Sequence, residues 1–129
     1  MKSESKARLI FLCAIAVLTT LGLLSRKVVF VPAFVGDALW AMVVYCCWKI
    51  LLIKKPNIIP AIAALITSFA VELSQLINWD WLNRLRTTFI GHMLLGQGFQ
   101  YSDLLAYTIG IFMVFVLTTL LEGLFLKNR

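Results

Sequence analysis

The chain is poor in the residue types from which hydrolytic and metal centres are built: one histidine, six acids and three cysteines in 129 residues. A lone histidine excludes the His-Glu-x-x-His pair of a zinc peptidase. Neither a Gly-x-Ser-x-Gly elbow nor a phosphate-binding loop is present. One histidine with dispersed acids has no diagnostic metal-ligand spacing. No cofactor and no metal are therefore expected. Cys13, Cys46 and Cys47 are odd in number and lie in apolar segments, so they read as small core residues and not as a disulfide framework. Neighbouring Cys46 and Cys47 point about 100° apart on a helix, which suits neither a shared metal nor a bridge.

Charge is scarce as well. Only 14% of residues are charged, 61% are hydrophobic, and the mean hydropathy is +0.93. A soluble domain of this length cannot hide so much apolar surface. The composition implies a single-domain integral membrane protein. The net charge of +6 comes from basic residues dispersed between apolar segments. That dispersal argues against nucleic acid as a partner and for topology anchors and contacts to lipid headgroups.

Four apolar segments can be drawn, with spans at about 9–27, 36–53, 57–77 and 103–126. Their polar faces recur at helical spacing, so the expected fold class is all-α, with four transmembrane helices. Gly36-Asp37 opens the second, Asn57 caps the third with Pro60 in its first turn, and Ser102-Asp103 opens the fourth. The first segment also has the basic start of a signal peptide, but Thr19–Arg26 offers no small-x-small cleavage site. Seven basic residues (Lys2, Lys6, Arg8, Lys54, Lys55, Lys127 and Arg129) fall on one side with Lys49 near a helix end, and four (Arg26, Lys27, Arg84 and Arg86) on the other. The excess predicts cytoplasmic termini, in the inner (plasma) membrane of a bacterium.

Glu72 is the most informative residue. A carboxylate at mid-membrane costs roughly 2.5–3.5 kcal/mol on insertion scales, so it marks a site facing protein or water. Ser68, Glu72 and Gln75 share one helix stripe. In the predicted orientation Asp37, Glu72, Gln75 and Asp103 collect at one depth, with Arg86 and His92 in the segment 79–100. Trp79, Trp81, Leu82, Leu85, Phe89 and Ile90 suggest that this segment holds an interfacial or re-entrant helix at about Trp81–Leu95, ended by Gly96-Gln97-Gly98. Structural readings stand beside the functional ones. Glu72 and Arg86 can form an ion pair that pins the segment onto the bundle. Asp37 and Asp103 can serve as helix caps, His92 as a hydrogen-bonding partner, and Gln97 as a partner for the turn backbone.

Glu72-x-x-Gln75, then Arg86, then Asp103 with Gly110 beyond it, resembles the pattern of VanZ-like membrane proteins. Gly36-Asp37-x-Leu39-Trp40, the string Gly91-His92-Met93-Leu94-Leu95-Gly96-Gln97-Gly98-Phe99 and Asp103-Leu104-Leu105-Ala106-Tyr107 are closer still to a small family of bacterial inner-membrane proteins with a domain of unknown function. VanZ-like proteins are associated with resistance to lipid-tailed glycopeptide antibiotics. The resemblance implies a four-helix membrane fold with a polar site at its outer face, and it draws Trp40, Gln97 and Tyr107 into that site. The sequence departs from the VanZ-like pattern at Ala38, where Lys is usual, and at Tyr107, where Asn is usual.

Three functions compete. The first is binding of an amphiphilic or anionic envelope molecule, a membrane lipid or another amphiphile, by Asp37, Trp40, Glu72, Gln75, Arg86, His92, Gln97, Asp103 and Tyr107. The second is an intramembrane enzyme acting on a lipid-linked substrate, with Glu72 or Asp103 as base and His92 as its acid–base partner. The third is a subunit of an oligomeric transporter, a homo-oligomer packed through Gly110 and Glu122-Gly123. Binding needs the fewest assumptions. Transport would need a polar path to the cytoplasmic face, and the third segment offers only Ser68 and Thr67.

Overall fold

The computed structural model describes the backbone of residues 2–95 and 98–127, with side chains to Leu124. Those residues form six helices and no strand, as the helical spacing requires. They are α1 (Lys2–Ser25), α2 (Ala33–Leu51), α3 (Ile58–Ser74), α4 (Asp80–Thr87), α5 (Phe89–Leu95) and α6 (Tyr101–Lys127).

Three of these, α1, α2 and α6, are long and apolar enough to cross a membrane; α3, with 17 residues, is shorter. The four long spans expected from hydropathy are thus three plus one shorter apolar helix. The difference lies at the end of α3. The Ser74 hydroxyl donates to the Val71 carbonyl, and the chain leaves the helix at Gln75, before the apolar run ends at Ile77.

Helix starts differ from the sequence reading in an instructive way. α2 begins at Ala33, directly after Pro32. Proline's fixed φ suits a helix start, and its missing N–H is no loss there. Asp37 therefore lies inside the helix and not at its cap. Asn57 occupies the N-cap position of α3 but makes no capping bond; its amide donates to Glu122 Oε2 (2.7 Å) and Thr119 Oγ1 (3.3 Å) instead. α6 begins at Tyr101, so Asp103 sits in its first turn and not at its cap.

The segment 79–100 is not one helix. It breaks at Thr88, whose backbone is extended. The hydroxyls of Thr87 and Thr88 donate to the carbonyls of Arg84 (2.6 Å) and Leu85 (2.7 Å), competing with helix propagation. The Gly91 backbone then folds against the Leu85 carbonyl so closely that no Cβ fits there.

α2 is the central element and touches α1, α3 and α6, while α3 also packs on α6. α1 and α2 are antiparallel. Arg8 Nε donates to the Ile50 carbonyl (3.3 Å) at one end, and Arg26 pairs with Asp37 (3.2 Å) at the other. α2 and α6 run parallel. Gly110 of α6 rests on the Ala38 carbonyl of α2, and a Cβ at residue 110 would strike it. Ala41, Tyr45 and Cys46 of α2, Ala61 and Ala64 of α3, and Tyr107 and Ile111 of α6 make the core. Alanines at the contacts let the backbones approach, as in membrane helix packing. α1 buries no residue, and Leu9, Ile10, Leu12 and Val17 on it are exposed. An apolar exterior of this kind suits a lipid solvent, and three of the helices could cross a membrane.

Candidate functional site

The bundle has two polar ends. At the acidic end, Glu72 is fully buried (0% exposed) near the end of α3. Its Oε2 accepts from the Tyr107 hydroxyl (2.9 Å), and its Oε1 accepts from the Gln100 backbone N–H (2.9 Å). The carboxylate is thus held by one donor from α6 and one from the chain just before it. Asp103, one turn before Tyr107 on the same face of α6, lies close to both Glu72 and Asp37. Asp37 is bound on its far side by Arg26, whose guanidinium is half exposed. Trp40 stacks its ring obliquely on Tyr107, with centroids 5.4 Å apart. This places Tyr107 between an aromatic wall and Glu72.

Of the three carboxyl groups only that of Asp37 is paired with a guanidinium, Arg26. Negative charge is left over, and a cation, an ammonium group or a proton compensates it. Glu72 is sealed beneath Asp37 and Asp103, which are themselves only partly covered.

Of the residues singled out in the sequence, the structure brings Asp37, Trp40, Glu72, Asp103 and Tyr107 together. Gln75 stands beside them and does something else. Its Nε2 donates to the Leu95 carbonyl (2.8 Å) and ties the end of α5 to α3. Arg86 is buried but does not meet Glu72. Its guanidinium donates to the carbonyls of Ser74 (2.5 Å) and Ile77 (3.1 Å) and to Asn83 Oδ1 (3.1 Å). The expected Glu72–Arg86 ion pair is replaced by a cap on the C-terminal end of α3. Carbonyls there lack helical partners and carry the negative end of the helix dipole, so a cation is drawn to them. His92 is exposed on α5, and no hydrogen bond of its side chain to the acids is found among the described residues. Gln97 lies outside the described residues.

Arg26 escaped the sequence reading. Its signal was its position just after an apolar run, a short turn from the Asp37 helix. The opposite, basic end also holds a polar cluster that the sequence reading passed over. Lys49 is buried (3% exposed). Its ammonium donates to the Lys55 carbonyl (3.3 Å) and stands 3.7 Å from Glu122. Asn57 bridges to Glu122 as described. The Tyr45 hydroxyl faces Thr118, yet it and Asn57 Oδ1 are buried without a hydrogen-bond partner among the described residues. Lys49 and Glu122 are lone charges in apolar runs, and such charges are as costly to leave in lipid as Glu72 is.

Residues 27–111 match the family described as "Protein of unknown function (DUF2809)", which is more than half of the chain. The chain belongs to that family. No solved structure matches it. The matched stretch contains Asp37, Trp40, Glu72, Asp103 and Tyr107, and it stops before Thr118 and Glu122.

Proposed function

We propose that this protein binds the polar head of an amphiphilic envelope molecule at its acidic end. The observation that carries the reading is the clustering of Asp37, Glu72 and Asp103 beside one guanidinium, Arg26, which pairs with Asp37 alone. The excess of acceptors favours a head group that offers ammonium, amide or hydroxyl donors. It argues against the anionic head that Arg86 suggested in the sequence, because that guanidinium is spent on α3 carbonyls. The surroundings suit a lipid tail: Val29 and Phe30 on the α1–α2 turn, and Trp79, Trp81, Phe89 and Ile90 around α4 and α5, are exposed. Aromatic and aliphatic side chains of this kind belong at a membrane boundary, with α4 and α5 lying in the interface.

The membrane placement that goes with this reading has four crossings, both termini in the cytoplasm of a bacterium, and the acidic end at the periplasmic face of the inner membrane. α3 is short, about 25 Å at 1.5 Å per residue. Its two ends are nevertheless tied near opposite ends of α6, through Asn57 to Glu122 and through Glu72 to Tyr107. A helix so placed crosses whenever α6 does. Reporter fusions at Asn83 and at the C terminus check this: opposite compartments are expected, and reporters in the same compartment would refute the placement.

A polar scaffold shared with VanZ-like proteins is part of the proposal, supported by the resemblance at Glu72 and Asp103. Arg86 and Gln75, the other residues of that pattern, fasten the 80–95 segment instead. The intramembrane enzyme loses support, since exposed His92 makes no hydrogen bond to either acid that would serve as base, among the described residues. A transporter, or any homo-oligomer that such a role would need, gains a second polar layer at the basic end. Ala41, Ala64 and Ile111, all buried, separate the two layers.

The test is binding of phosphatidylethanolamine, phosphatidylglycerol and phosphatidylcholine to the purified protein in neutral detergent, read by native mass spectrometry. Phosphatidylethanolamine is expected to bind, and Asp37→Asn with Asp103→Asn to weaken it about tenfold or more. Unchanged phosphatidylethanolamine binding by a folded double variant, or no preference over phosphatidylcholine in the parent, sinks the reading.

A further inference from the structure

We propose that the basic end holds a second, independent site, for an anionic phospholipid of the adjoining leaflet. In it Arg8, Lys54 and Lys55 meet the phosphate, and the acyl chains lie on the unpartnered apolar face of α1. The inference rests on the membrane placement above but not on the acidic cluster.

The charge distribution is the first support. The basic end carries Lys2, Lys6, Arg8, Lys49, Lys54 and Lys55 against Glu4 and Glu122. The acidic end carries Arg26, Lys27, Arg84 and Arg86 against Asp37, Glu72, Asp80 and Asp103. Among the residues whose side chains are described, six against two at one end and four against four at the other make the molecule electrically lopsided. Positive potential is concentrated where α1 begins and α2 ends.

Local structure gathers that charge. Arg8 is fastened to the Ile50 carbonyl in the last turn of α2, and Lys54 is 3.5 Å from Glu4 in the first turn of α1. The two contacts clamp the start of α1 against the α2–α3 turn and bring Arg8, Lys54 and Lys55 to one edge. Lys54 keeps 75% of its side chain exposed, even in that pair. Lys49 lies buried beneath the turn with its ammonium on the Lys55 carbonyl. Glu122, 3.7 Å away, offsets that charge, so the potential of the edge comes from Arg8, Lys54 and Lys55.

The apolar surroundings select a lipid over a free anion. Leu9 and Leu12, just past Arg8, and Leu51, just before the turn, are 60%, 53% and 71% exposed. A phosphate held at the basic edge would have its own chains run along these residues, and inorganic phosphate has no use for them. Basic residues beside a membrane helix attract anionic lipid by roughly fivefold in affinity for each charge near the surface.

The experiment measures thermal stability and lipid adducts of the purified protein in neutral detergent, with phosphatidylglycerol, phosphatidylcholine or inorganic phosphate at equal phosphorus. Phosphatidylglycerol alone is expected to raise the melting temperature and to appear as an adduct. Lys54→Ala with Lys55→Ala should reduce its apparent affinity by about fivefold for each charge removed. Lys54→Arg with Lys55→Arg should restore it, and Lys27→Ala at the other end should leave it unchanged. Asp103→Asn should also leave it unchanged, which separates this site from the amphiphile site above. An equal shift with phosphatidylcholine overturns the proposal. So does an equal shift with inorganic phosphate, or an alanine pair that binds phosphatidylglycerol like the parent. Should the alanine pair fail to fold, head-group selectivity in the parent still decides the matter.

Discussion

Tyr107 and Tyr45 are both buried in the same core, yet they sit in opposite chemical situations. The Tyr107 hydroxyl at the acidic end donates to a carboxylate that also has a backbone donor. The Tyr45 hydroxyl at the basic end is buried beside Thr118 and has no hydrogen-bond partner among the described residues. The contrast belongs to the individual groups, since each end also keeps buried polar atoms without a partner among the described residues. At the acidic end Glu72 accepts from the Tyr107 hydroxyl and the Gln100 N–H and Asp37 pairs with Arg26, although the Ser68 hydroxyl, Gln75 Oε1 and Arg86 Nε are buried without a partner among the described residues. At the basic end Lys49, Asn57 and Glu122 are loosely matched, with one contact at 3.7 Å and two buried polar atoms unpaired. Burial therefore does not measure how well a polar group is accommodated. Its partners do.

The largest test of this contrast is Arg86→Leu. The substitution leaves the Ser74 and Ile77 carbonyls and Asn83 Oδ1 without their donor in a buried setting. A loss of about 3 kcal/mol is expected, because hydrogen bonds to charged groups contribute about 1.5–3 kcal/mol each and are not fully additive. Denaturant or thermal unfolding in detergent reads it. Adding Glu72→Leu should give no rescue, since Glu72 bonds Tyr107 and Gln100 and not Arg86. Recovery in the double variant would restore the ion pair expected from sequence and erase the distinction between cap and cluster.

The tyrosines give the smaller and sharper comparison. Tyr107→Phe removes one of the two donors to buried Glu72 and is expected to destabilise by about 2 kcal/mol. Tyr45→Phe removes a buried hydroxyl that has no partner and is expected to stabilise by about 1 kcal/mol. Opposite signs for one chemical change, measured in the same detergent, support the contrast. A loss of stability at both positions would mean that Tyr45 has a partner after all.

Much of the fold was legible because it rests on local rules. Apolar runs of helical length, interrupted by Arg26-Lys27, by Lys54-Lys55-Pro56 and by the Asn78–Ser102 segment, dictate helices whatever their neighbours are. The break at Thr88 was harder to read. Its signal, two adjacent β-branched hydroxyl residues followed by Gly91, competes with a good apolar helix pattern. Helix starts are misread where a polar residue finds a better partner elsewhere. Asn57 looks like a cap, but Glu122, distant in sequence, takes its amide.

The acids at one end were legible for a general reason. A charge inside an apolar run must face the interior, and helix polarity then fixes its depth. This singles out Glu72 and groups it with Asp37 and Asp103, but it assigns no partners. Arg86 and Arg26 are equivalent as charges in the sequence. Only the folded chain sends Arg86 to the open carbonyls of α3 and Arg26 to Asp37, because the turn after α1 and the short α4 set which guanidinium reaches which acceptor. Lys49 and Glu122 show the same limit from the other side. Each looks like an isolated charge near a helix end, and only the parallel packing of α2 on α6, permitted by Gly110 against Ala38, brings them together. Composition and periodicity thus determined the helices and the end of the bundle at which their charges lie. Pairing was decided by tertiary structure, because it depends on contacts between residues far apart in the chain.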